Sequence, residues 1–268
     1  MTIVCERADS LAEVAAWLRR DVLATNGSLM LIERGIPGVP YETWAAHDVA
    51  GTLVGAMFVE HFPTWTAAQL HPDTPEAIPV MLARLDPATR YTFITDEGMR
   101  EHLLPRLADV GHVMHSVRLA LAPGEGRLVE PPIRCEMRRL LAADRDMLDR
   151  FRTGRNPHGM TLVDQVARAD EEKFTFFGLV VSGELVSWLQ FGWNIDAIWE
   201  VGMIETRPDE RRKGYGKALL SYASADMGRR GLTCYYSETD NEPSRRTAAA
   251  VGYREVARVI SCEGHGET

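Results

Sequence analysis

The chain has 268 residues, of which 45% are hydrophobic and 25% are charged, and its net charge at pH 7 is −8. This composition is typical of a soluble globular protein with one or two domains. The acidic balance argues against a general nucleic-acid binder, whose surface would be basic overall. No apolar run approaches the ~20 residues of a membrane span.

The N-terminal sequence MTIVCERADS lacks the basic-then-apolar order of a signal peptide. We therefore expect a cytoplasmic protein that does not act in a membrane. The cysteines are scattered and show no paired metal-type spacing, so we expect reduced thiols and no bound metal. They are Cys5, Cys135, Cys234 and Cys262.

The first half of the chain predicts alternating helices and strands. Asp9 or Ser10 caps a helix that runs to about Ala24 and ends at Asn26-Gly27. Alternating apolar residues and turn signals predict the elements that follow. These are a strand (29–33), a hairpin (42–47 and 53–60), a strand (64–68), a helix ending near 85, a strand (91–95), a helix (97–110) and a strand (112–121).

The glycine- and proline-containing segment 122–132 marks a join, and we place the domain boundary between residues 125 and 126. Beyond it the order of elements is close to that of the first half. The chain therefore predicts a tandem pseudo-repeat, with an unrelated α/β domain at 1–125 as the alternative. The predicted elements are strands 134–140, 174–181, 184–191 and 197–206, helices 144–152 and 162–171, and a turn at Asn194-Ile195-Asp196.

The segment 199–220 combines a strand, a basic turn and a helix. Alternation predicts a strand that ends before Pro208, and apolar residues recur at helical spacing from Gly214 onward. Gly214 and Gly216 allow close approach of the backbone to a ligand. Cations are unfavourable at a helix N-terminus, which attracts anions, so their presence there predicts a phosphorylated ligand. The basic residues are Arg207, Arg211, Arg212, Lys213 and Lys217.

The hexapeptide 211–216, RRKGYG, resembles the Arg/Gln-x-x-Gly-x-Gly/Ala signature of the GNAT superfamily of acyl-CoA-dependent N-acyltransferases. In that family the loop wraps the pyrophosphate of coenzyme A. Downstream, a strand (232–238), the cap and first turn Asn241-Glu242-Pro243-Ser244 and the ending Val251-Gly252-Tyr253 resemble the family's Asn-x-x-Ala/Ser...Gly-Phe/Tyr block. The resemblance covers roughly residues 133 to 261.

This resemblance implies an α/β fold of two tandem GNAT-like units, with mixed, largely antiparallel sheets flanked by helices. The implied domains are a degenerate unit at 1–125, whose segment 70–76 is acidic and has no glycine, and an acyl-CoA-binding catalytic unit at 126–268. The predicted cofactor-binding residues lie in the strand end, the loop and the second block. They are Ile204, Glu205, Thr206, Arg211, Arg212, Lys213, Gly214, Tyr215, Gly216, Lys217, Asn241 and Ser244.

Acyl transfer to an amine requires a base, because the ammonium form has no lone pair. The resemblance places that base at Glu200, and strand alternation puts Glu200 on one face with Ile204 and Thr206. A structural ion pair with an arginine is the alternative role. Glu205 is a weaker candidate, because alternation turns it to the other face unless a bulge intervenes. Glu238, at the end of the next strand, is a further candidate.

Many family members carry a tyrosine that protonates the leaving thiolate, four residues before the final glycine. Ala248 occupies that position here. Tyr235, Tyr236 or Ser244 could substitute, although strand tyrosines usually pack, and the thiolate could also leave unassisted. The nearby aromatic residues suit either an acceptor pocket or the core. They are Trp188, Phe191, Trp193 and Trp199.

The resulting hypothesis is an N-acyltransferase that uses acetyl-CoA, or another acyl-CoA, as co-substrate and acts as a monomer or homodimer. Its acceptor would be a small-molecule amine, an amino acid or a protein amine. A non-catalytic acyl-CoA-binding or regulatory module is the alternative. A plain nucleotide-binding protein is disfavoured, because neither Gly-x-Gly-x-x-Gly nor Gly-x-x-x-x-Gly-Lys-Ser/Thr occurs.

Overall fold

The structure is a computed structural model that describes residues 2–151, 161–169, 173–238 and 241–266. Its internal contacts divide the chain into two compact units. The first comprises Met1–Arg118 together with Val256–Thr268, and the second comprises Leu119–Glu255. Among the described residues, none of the helices combines the length and the apolar character that crossing a membrane requires.

The first unit begins with a strand and two helices and continues with a strand-rich segment. Short 3₁₀ turns at Arg19–Asp21, Glu97–Met99 and Leu104–Arg106 connect some of its elements. The elements are β1 (Ile3–Arg7), α1 (Leu11–Leu18), α2 (Val22–Arg34), β2 (Tyr41–Asp48), β3 (Leu53–His61), β4 (Thr66–Pro72), α3 (Ala77–Leu82), β5 (Tyr91–Asp96), α4 (Arg100–Leu103), β6 (Leu107–Ala108) and the start of β7 (Met114–Leu121).

The sheet of this unit follows the order β1-β2-β3-β4-β5 and is antiparallel except for the parallel pair β4 and β5. Helix α3 packs on one face, where the Met81 side chain occupies the space that a Cβ at position 55 would need, so Gly55 allows the close contact. On the other face, Ser28 of α2 bonds the side chains of Gln69 and His71. The sheet is thus a central layer covered by helices on both faces.

One predicted helix stop and one predicted strand in this unit are wrong. Helix α2 continues through Asn26-Gly27 and includes the segment 29–33 that was predicted as a strand. The Asn26 side chain is buried and donates to the Leu23 carbonyl, while Ser28 is held by the sheet. Tertiary contacts therefore outweigh the local turn propensity of Asn-Gly. The predicted helix 97–110 is also replaced by short helical turns followed by β6.

The second unit repeats this order of elements. Its strands follow the order β8-β9-β10-β11-β12, and β11 and β12 form the parallel pair. Short 3₁₀ turns lie at Ala142–Asp144 and Pro208–Glu210. The other elements are β8 (Glu136–Arg139), α5 (Arg145–Arg150), α6 (Leu162–Ala167), β9 (Phe174–Val181), β10 (Glu184–Ile195), β11 (Ile198–Thr206), α7 (Tyr215–Arg229), β12 (Thr233–Glu238), α8 (Glu242–Val251) and the start of β13 (Arg254–Gly266).

Helices cover both faces of the second sheet as well. Helix α7 lies on one face, where Tyr222 packs edge-on against Phe177 at 6.3 Å between ring centroids. Helices α5 and α6 lie on the other face, in a core with Phe176 and Trp188. The predicted α/β class, with mixed and largely antiparallel sheets flanked by helices, is confirmed.

The last strand of the chain completes the first unit. Residues 259–264 of β13 pair antiparallel with β5, from Val259 opposite Asp96 to Gly264 opposite Tyr91. The sequence-based division at 125 and 126 had assigned all of this strand to the second domain. An unpaired β5 would leave a row of backbone groups without partners, and β13 supplies them. Local sequence signals carry no information about such a distant pairing.

Candidate functional site

A cleft separates the C-terminal halves of β11 and β12 in the second unit. The parallel pairing joins Ile198 to Thr233, Trp199 to Cys234 and Glu200 to Tyr235. Beyond these pairs, both strands line a cavity of about 890 Å³, a size within the ~300–1,000 Å³ of small-molecule sites. Its walls are Val201, Gly202, Met203, Ile204, Thr206, Arg211, Arg212, Gly214, Gly216, Lys217, Tyr236, Ser237, Asn241, Pro243, Ser244, Arg246, Thr247 and Ala250.

A β-bulge lies where the cleft begins. Val201 pairs with Phe191 of β10 and Met203 pairs with Gln190, so Gly202 is an extra residue without a partner on β10. An extra residue bends the strand and reverses the alternation of side chains beyond it. The bulge therefore divides β11 into a half that pairs with β12 and a half that lines the cleft.

The bulge changes which residues of β11 share a face. Glu200 lies opposite Gly192 and Glu205 opposite Trp188, so both glutamates are on the face that α5 and α6 cover. Ile204 and Thr206 lie on the α7 face, where a Cβ at Gly216 would lie 3.6 Å and 3.4 Å from them. The prediction that Glu200 shares a face with Ile204 and Thr206 is wrong, because alternation counts every residue and the bulge inserts one.

The basic loop ends in left-handed backbone conformations. Arg212 has φ 64° and Gly214 has φ 88°, and Gly214 is the N-cap of α7. A left-handed conformation is costly for residues with a Cβ, so glycine suits position 214. The first amides of any α-helix lack intrahelical acceptors, and Gly214 has no side chain that could accept from those of α7. These amides border the cleft and form a place where an anion is stabilised.

Cations surround the same end of the cleft. Arg211 donates from Nε to the Thr206 carbonyl at 3.1 Å, while Arg212 and Lys217 also border the cavity. Arg246 faces them from α8, with its Nε donating to Glu242 at 2.8 Å and its side chain 78% exposed. Hydrogen bonds from Arg246 and Arg245 lower the pKa of Glu242. The cleft therefore carries positive charge on two of its walls.

The opposite wall is built by α8 and β12. Asn241 caps α8 by accepting from the backbone amide of Ser244 at 3.2 Å, and Gly252 ends the helix with φ 113°. These positions confirm the predicted cap and stop. The hydroxyls of Ser244 and Tyr236 are hydrogen-bonded to each other and both residues line the cleft. Two hydroxyl groups thus meet where the strands separate.

Glu200 is the last residue of β11 that pairs with β12, and it directly precedes Val201, where the lining of the cleft begins; Glu200 itself is not one of the lining residues. Its Oε2 accepts a hydrogen bond from Nδ2 of Asn194 at 2.9 Å. Asn194 was predicted to lie in the turn between two strands, but β10 continues to Ile195 and the turn follows it. The half-buried Glu200 carboxylate is therefore held from the neighbouring strand.

The side chains of several predicted site residues are not among those that line the cavity. Lys213 is paired with Glu210 at 2.8 Å, which raises the pKa of the lysine, and the Tyr215 side chain is buried in the core. Glu205 points to the face away from α7, so a contact of Glu205 with a ligand in the cleft would involve its main chain. Glu238 ends β12, and its side chain lies outside the described residues. Ala248 is buried, and α8 presents Thr247 and Ala250 to the cleft instead.

Sequence reasoning missed Asn194, and it missed the α8 residues Arg246, Thr247 and Ala250. The signal for the α8 set was present, because Pro243, Thr247 and Ala250 recur at spacings of four and three on one helix face. No comparable signal marked Asn194, whose role depends on strand register. In the described part of the chain, no group of three or more His, Cys, Asp or Glu side chains is arranged to hold a metal ion.

Residues 140–253 match the model of the Acetyltransferase (GNAT) family. These residues form a GNAT domain. The match spans the bulged strand, the basic loop and the α8 cap, which confirms the family predicted from the two sequence blocks. No curated protein matches the chain by sequence.

Solved structures resemble the whole chain and not the GNAT domain alone. A GCN5-related N-acetyltransferase from Sphaerobacter thermophilus is 14% identical, with a TM-score of 0.65 over 98% of this chain and 95% of that one. A GNAT-family acetyltransferase from Colwellia psychrerythraea is 14% identical, with a TM-score of 0.62 over 98% and 100% of the two chains. A tandem GNAT protein from the clavulanic acid biosynthesis pathway is 14% identical, with a TM-score of 0.59 and 98% coverage of both. At this identity the likeness shows the fold.

Proposed function

We propose that this protein is an acyl-CoA-dependent N-acyltransferase that transfers an acetyl group from acetyl-CoA to an amine. The observation that carries the proposal is the cleft between β11 and β12, with the glycine N-cap of α7 and a group of cations at one end. Membership of residues 140–253 in the GNAT family supports it independently. We further propose that the second unit carries the whole site.

The residues of the cleft fit coenzyme A, which has a diphosphate and a long, thin pantetheine arm. Arg211, Arg212 and Lys217 with the first amides of α7 would hold the diphosphate. Gly216 leaves room for it, since a Cβ there would only reach ordinary contact distance from Thr206 and Ile204. Asn241 and Ser244 on α8 would border the arm. When bound, acetyl-CoA supplies an acyl group activated as a thioester.

Glu200 is the proposed general base. Glu200 adjoins the lining residue Val201 and lies on the sheet face opposite α7, so an acceptor amine would approach from that side of the sheet. There Glu200 would take the proton of the ammonium group, directly or through one water, and leave a nucleophilic amine. A positioned base of this kind contributes ~10²–10⁴-fold to the rate. Glu238 stays the second candidate.

Tyr236 and Ser244 are the proposed proton donors for the leaving sulfur. Both hydroxyls border the cleft and share a hydrogen bond, so the pair would give one proton to the sulfur and regain one from solvent before the next turnover. Ala248 has no group to donate, and its methyl group is buried. The hydroxyl pair would thus perform from β12 and α8 the task that many family members assign to a helix tyrosine.

The acceptor is predicted to be a small-molecule amine, an amino acid or a protein amine. The predictions of a cytoplasmic location and of a monomer or homodimer accompany this proposal. The first unit is proposed to be a degenerate GNAT-like unit without a cofactor site of its own.

The proposal is tested by incubating the protein with acetyl-CoA and a panel of amines while free thiol is followed. Amine-dependent thiol release that Glu200→Gln abolishes is the expected result. Tight binding of coenzyme A in calorimetry with no turnover on any amine would instead support the non-catalytic binding module. If the protein neither binds coenzyme A nor releases thiol with any amine, the proposal is wrong. Mass spectrometry of the purified protein, which detects a retained ligand, provides a check that needs no acceptor.

A further inference from the structure

A second bulge lies in β10, next to the candidate base. Trp193 pairs with Trp199 and Ile195 pairs with Ile198, so Asn194 is an extra residue without a partner on β11. Bulges re-aim side chains, and they are frequent beside functional sites. Here the extra residue carries a carboxamide, a group that both donates and accepts hydrogen bonds. The bulge directs this carboxamide toward β11.

The Asn194 carboxamide is held in a buried position. The residue is only 9% exposed, and its Nδ2 donates to Oε2 of Glu200 at 2.9 Å. The backbone on either side is fixed, because Nε1 of Trp193 donates to the Asp196 carbonyl at 3.0 Å and the Lys173 ammonium lies 3.7 Å from the Trp193 ring centroid. A buried amide on a fixed strand has few alternative orientations, so it restrains the carboxylate that it contacts.

We infer that Asn194 is a positioning residue that orients the Glu200 carboxylate and favours its ionised form. The inference rests on the proposed function, in which Glu200 accepts the proton of the acceptor amine. A donor hydrogen bond to a carboxylate stabilises the charged form and restrains the orientation of the group. An aspartate at the same place has the same shape but offers a like charge in place of the donor.

Other titratable groups lie near Glu200 and act on it as well. Tyr235 of β12 pairs with Glu200, and Glu205 lies on the same face of β11. Lys173 lies beyond Trp193, and the Arg230 guanidinium lies 5.7 Å from the centroid of the Trp199 ring. Substitutions at Asn194 leave these groups unchanged, so a difference between variants reports the carboxamide alone.

The test follows the carboxyl carbon of Glu200 by NMR in the full-length protein, with its signal identified by its loss in Glu200→Gln. We expect the titration midpoint to rise by roughly one pH unit in Asn194→Ala and by more in Asn194→Asp. Asn194→Ser, which keeps a donor, is expected to lie nearer the wild type. The control Asp196→Asn removes a neighbouring charge but no donor, and it should leave the midpoint unchanged or lower it. An unchanged midpoint in both Asn194→Ala and Asn194→Asp overturns the inference.

Kinetic measurements distinguish a positioning role of Asn194 from a purely structural one. In Asn194→Ala the acidic limb of the kcat/KM profile should move to higher pH, while the affinity for coenzyme A stays within about twofold. On a Glu200→Gln background, Asn194→Ala should cause no further loss, because it acts through the missing group. If the losses of kcat/KM caused by Glu200→Gln and Asn194→Ala add in the double variant, the inference is wrong. Because the NMR titration needs no turnover, an inactive wild type would defeat the proposed function and still leave the Asn194 contact tested.

Discussion

The two units share an order of strands and helices, and the cleft described above lies in the second. In the first unit, β3 and β4 pair residue by residue from Gly55 opposite Pro72 to His61 opposite Thr66. In the second unit, the corresponding strands β10 and β11 carry the bulge at Gly202, after which β11 lines the cavity. One inserted residue, Gly202, therefore distinguishes the β10 and β11 pair of the second unit from the β3 and β4 pair of the first.

The helices that follow β4 and β11 also differ between the two units, in the residue at which each helix begins. Helix α7 begins at a glycine and is surrounded by cations, whereas α3 begins at Glu76. Hydrogen bonds from its own backbone amide and from Thr74 lower the pKa of Glu76. The first unit thus has a carboxylate of its own where the second unit would receive a phosphate. This contrast supports the prediction that the first unit is degenerate.

The two units also differ on the sheet face that lies away from α3 in the first unit and away from α7 in the second. In the first unit a buried chain of side chains fills the space: His71 bonds Ser28, Ser28 bonds Gln69, and Gln69 bonds Glu60. In the second unit that face presents Glu200 and Met203, and the Met203 side chain is 43% exposed. In our proposal the fold alone therefore does not make the acyl-CoA site, which also needs the cleft between β11 and β12 and the glycine N-cap of α7.

The largest expected effect is a loss of kcat on substitution of Glu200 in the second unit but not of Glu60 in the first. Glu200→Gln should lower kcat by ~10²–10⁴-fold, about 3–5 kcal/mol of transition-state stabilisation, with little change in coenzyme A affinity. The matched variant is Glu60→Gln in the first unit, whose partner Gln69 can still donate to a carboxamide oxygen. Steady-state kinetics and calorimetry measure both. Equal losses of kcat in the two variants would contradict the proposal that the second unit alone carries the catalytic base.

A second prediction concerns the buried chain of the first unit. Burial lowers the pKa of His71 to about 4, below the ~6.5 of an unfolded histidine. Between these values the unfolded chain binds more protons, so His71 stabilises the protein fully above pH 6.5, and this stability is lost as the pH falls toward 4. The shift of about 2.5 units corresponds to about 3 kcal/mol.

Urea unfolding at pH 7 and pH 4 measures this contribution. The wild type should lose about 3 kcal/mol more than His71→Gln over this range. Burial raises the pKa of Glu60, which has the opposite influence on stability, but Glu60 is present in both proteins and its contribution cancels in the difference. Parallel pH profiles for the two proteins would show that His71 titrates normally.

The glycine at the start of α7 is expected to have a smaller effect. Gly216→Val should weaken coenzyme A binding by about 2 kcal/mol, roughly 30-fold, because a branched side chain occupies the place of the ligand. Gly216→Ala should weaken it less, since a Cβ meets Thr206 and Ile204 at ordinary contact distances. Thermal unfolding should show both variants folded. Unchanged affinity in Gly216→Val would place the diphosphate elsewhere.

The smallest expected effects come from the cations. Arg211→Ala, Arg212→Ala, Lys217→Ala and Arg246→Ala should each weaken coenzyme A binding by about 1 kcal/mol, an effect that added salt reduces. Lys213→Ala is the matched control, because the Lys213 ammonium is paired with Glu210 and Lys213, unlike the other four residues, does not line the cavity. Calorimetry at two salt concentrations measures the set. A loss in Lys213→Ala equal to the others would show that the loop rearranges on binding.

Much of the fold and part of the site could be predicted from local patterns. The strand ending before Pro208, the helix that begins after Gly214, the cap at Asn241 and the stop at Gly252 each depend on neighbouring residues. The continuous α2 could not be predicted, because Asn26 and Ser28 adopt helical conformations that distant contacts stabilise. The pairing of β13 with β5 joins segments more than 160 residues apart, beyond the reach of any local signal.

The sequence by itself determined where this protein holds a phosphorylated ligand in our proposal: glycine and proline set local backbone geometry, and the cations are adjacent in the chain. Only the tertiary structure decided which side chains face that ligand and which face the acceptor. The physical reason is the register between strands. Gly202 and Asn194 are bulges only because of what lies opposite them, and these bulges bring the Glu200 carboxylate and the Asn194 carboxamide together.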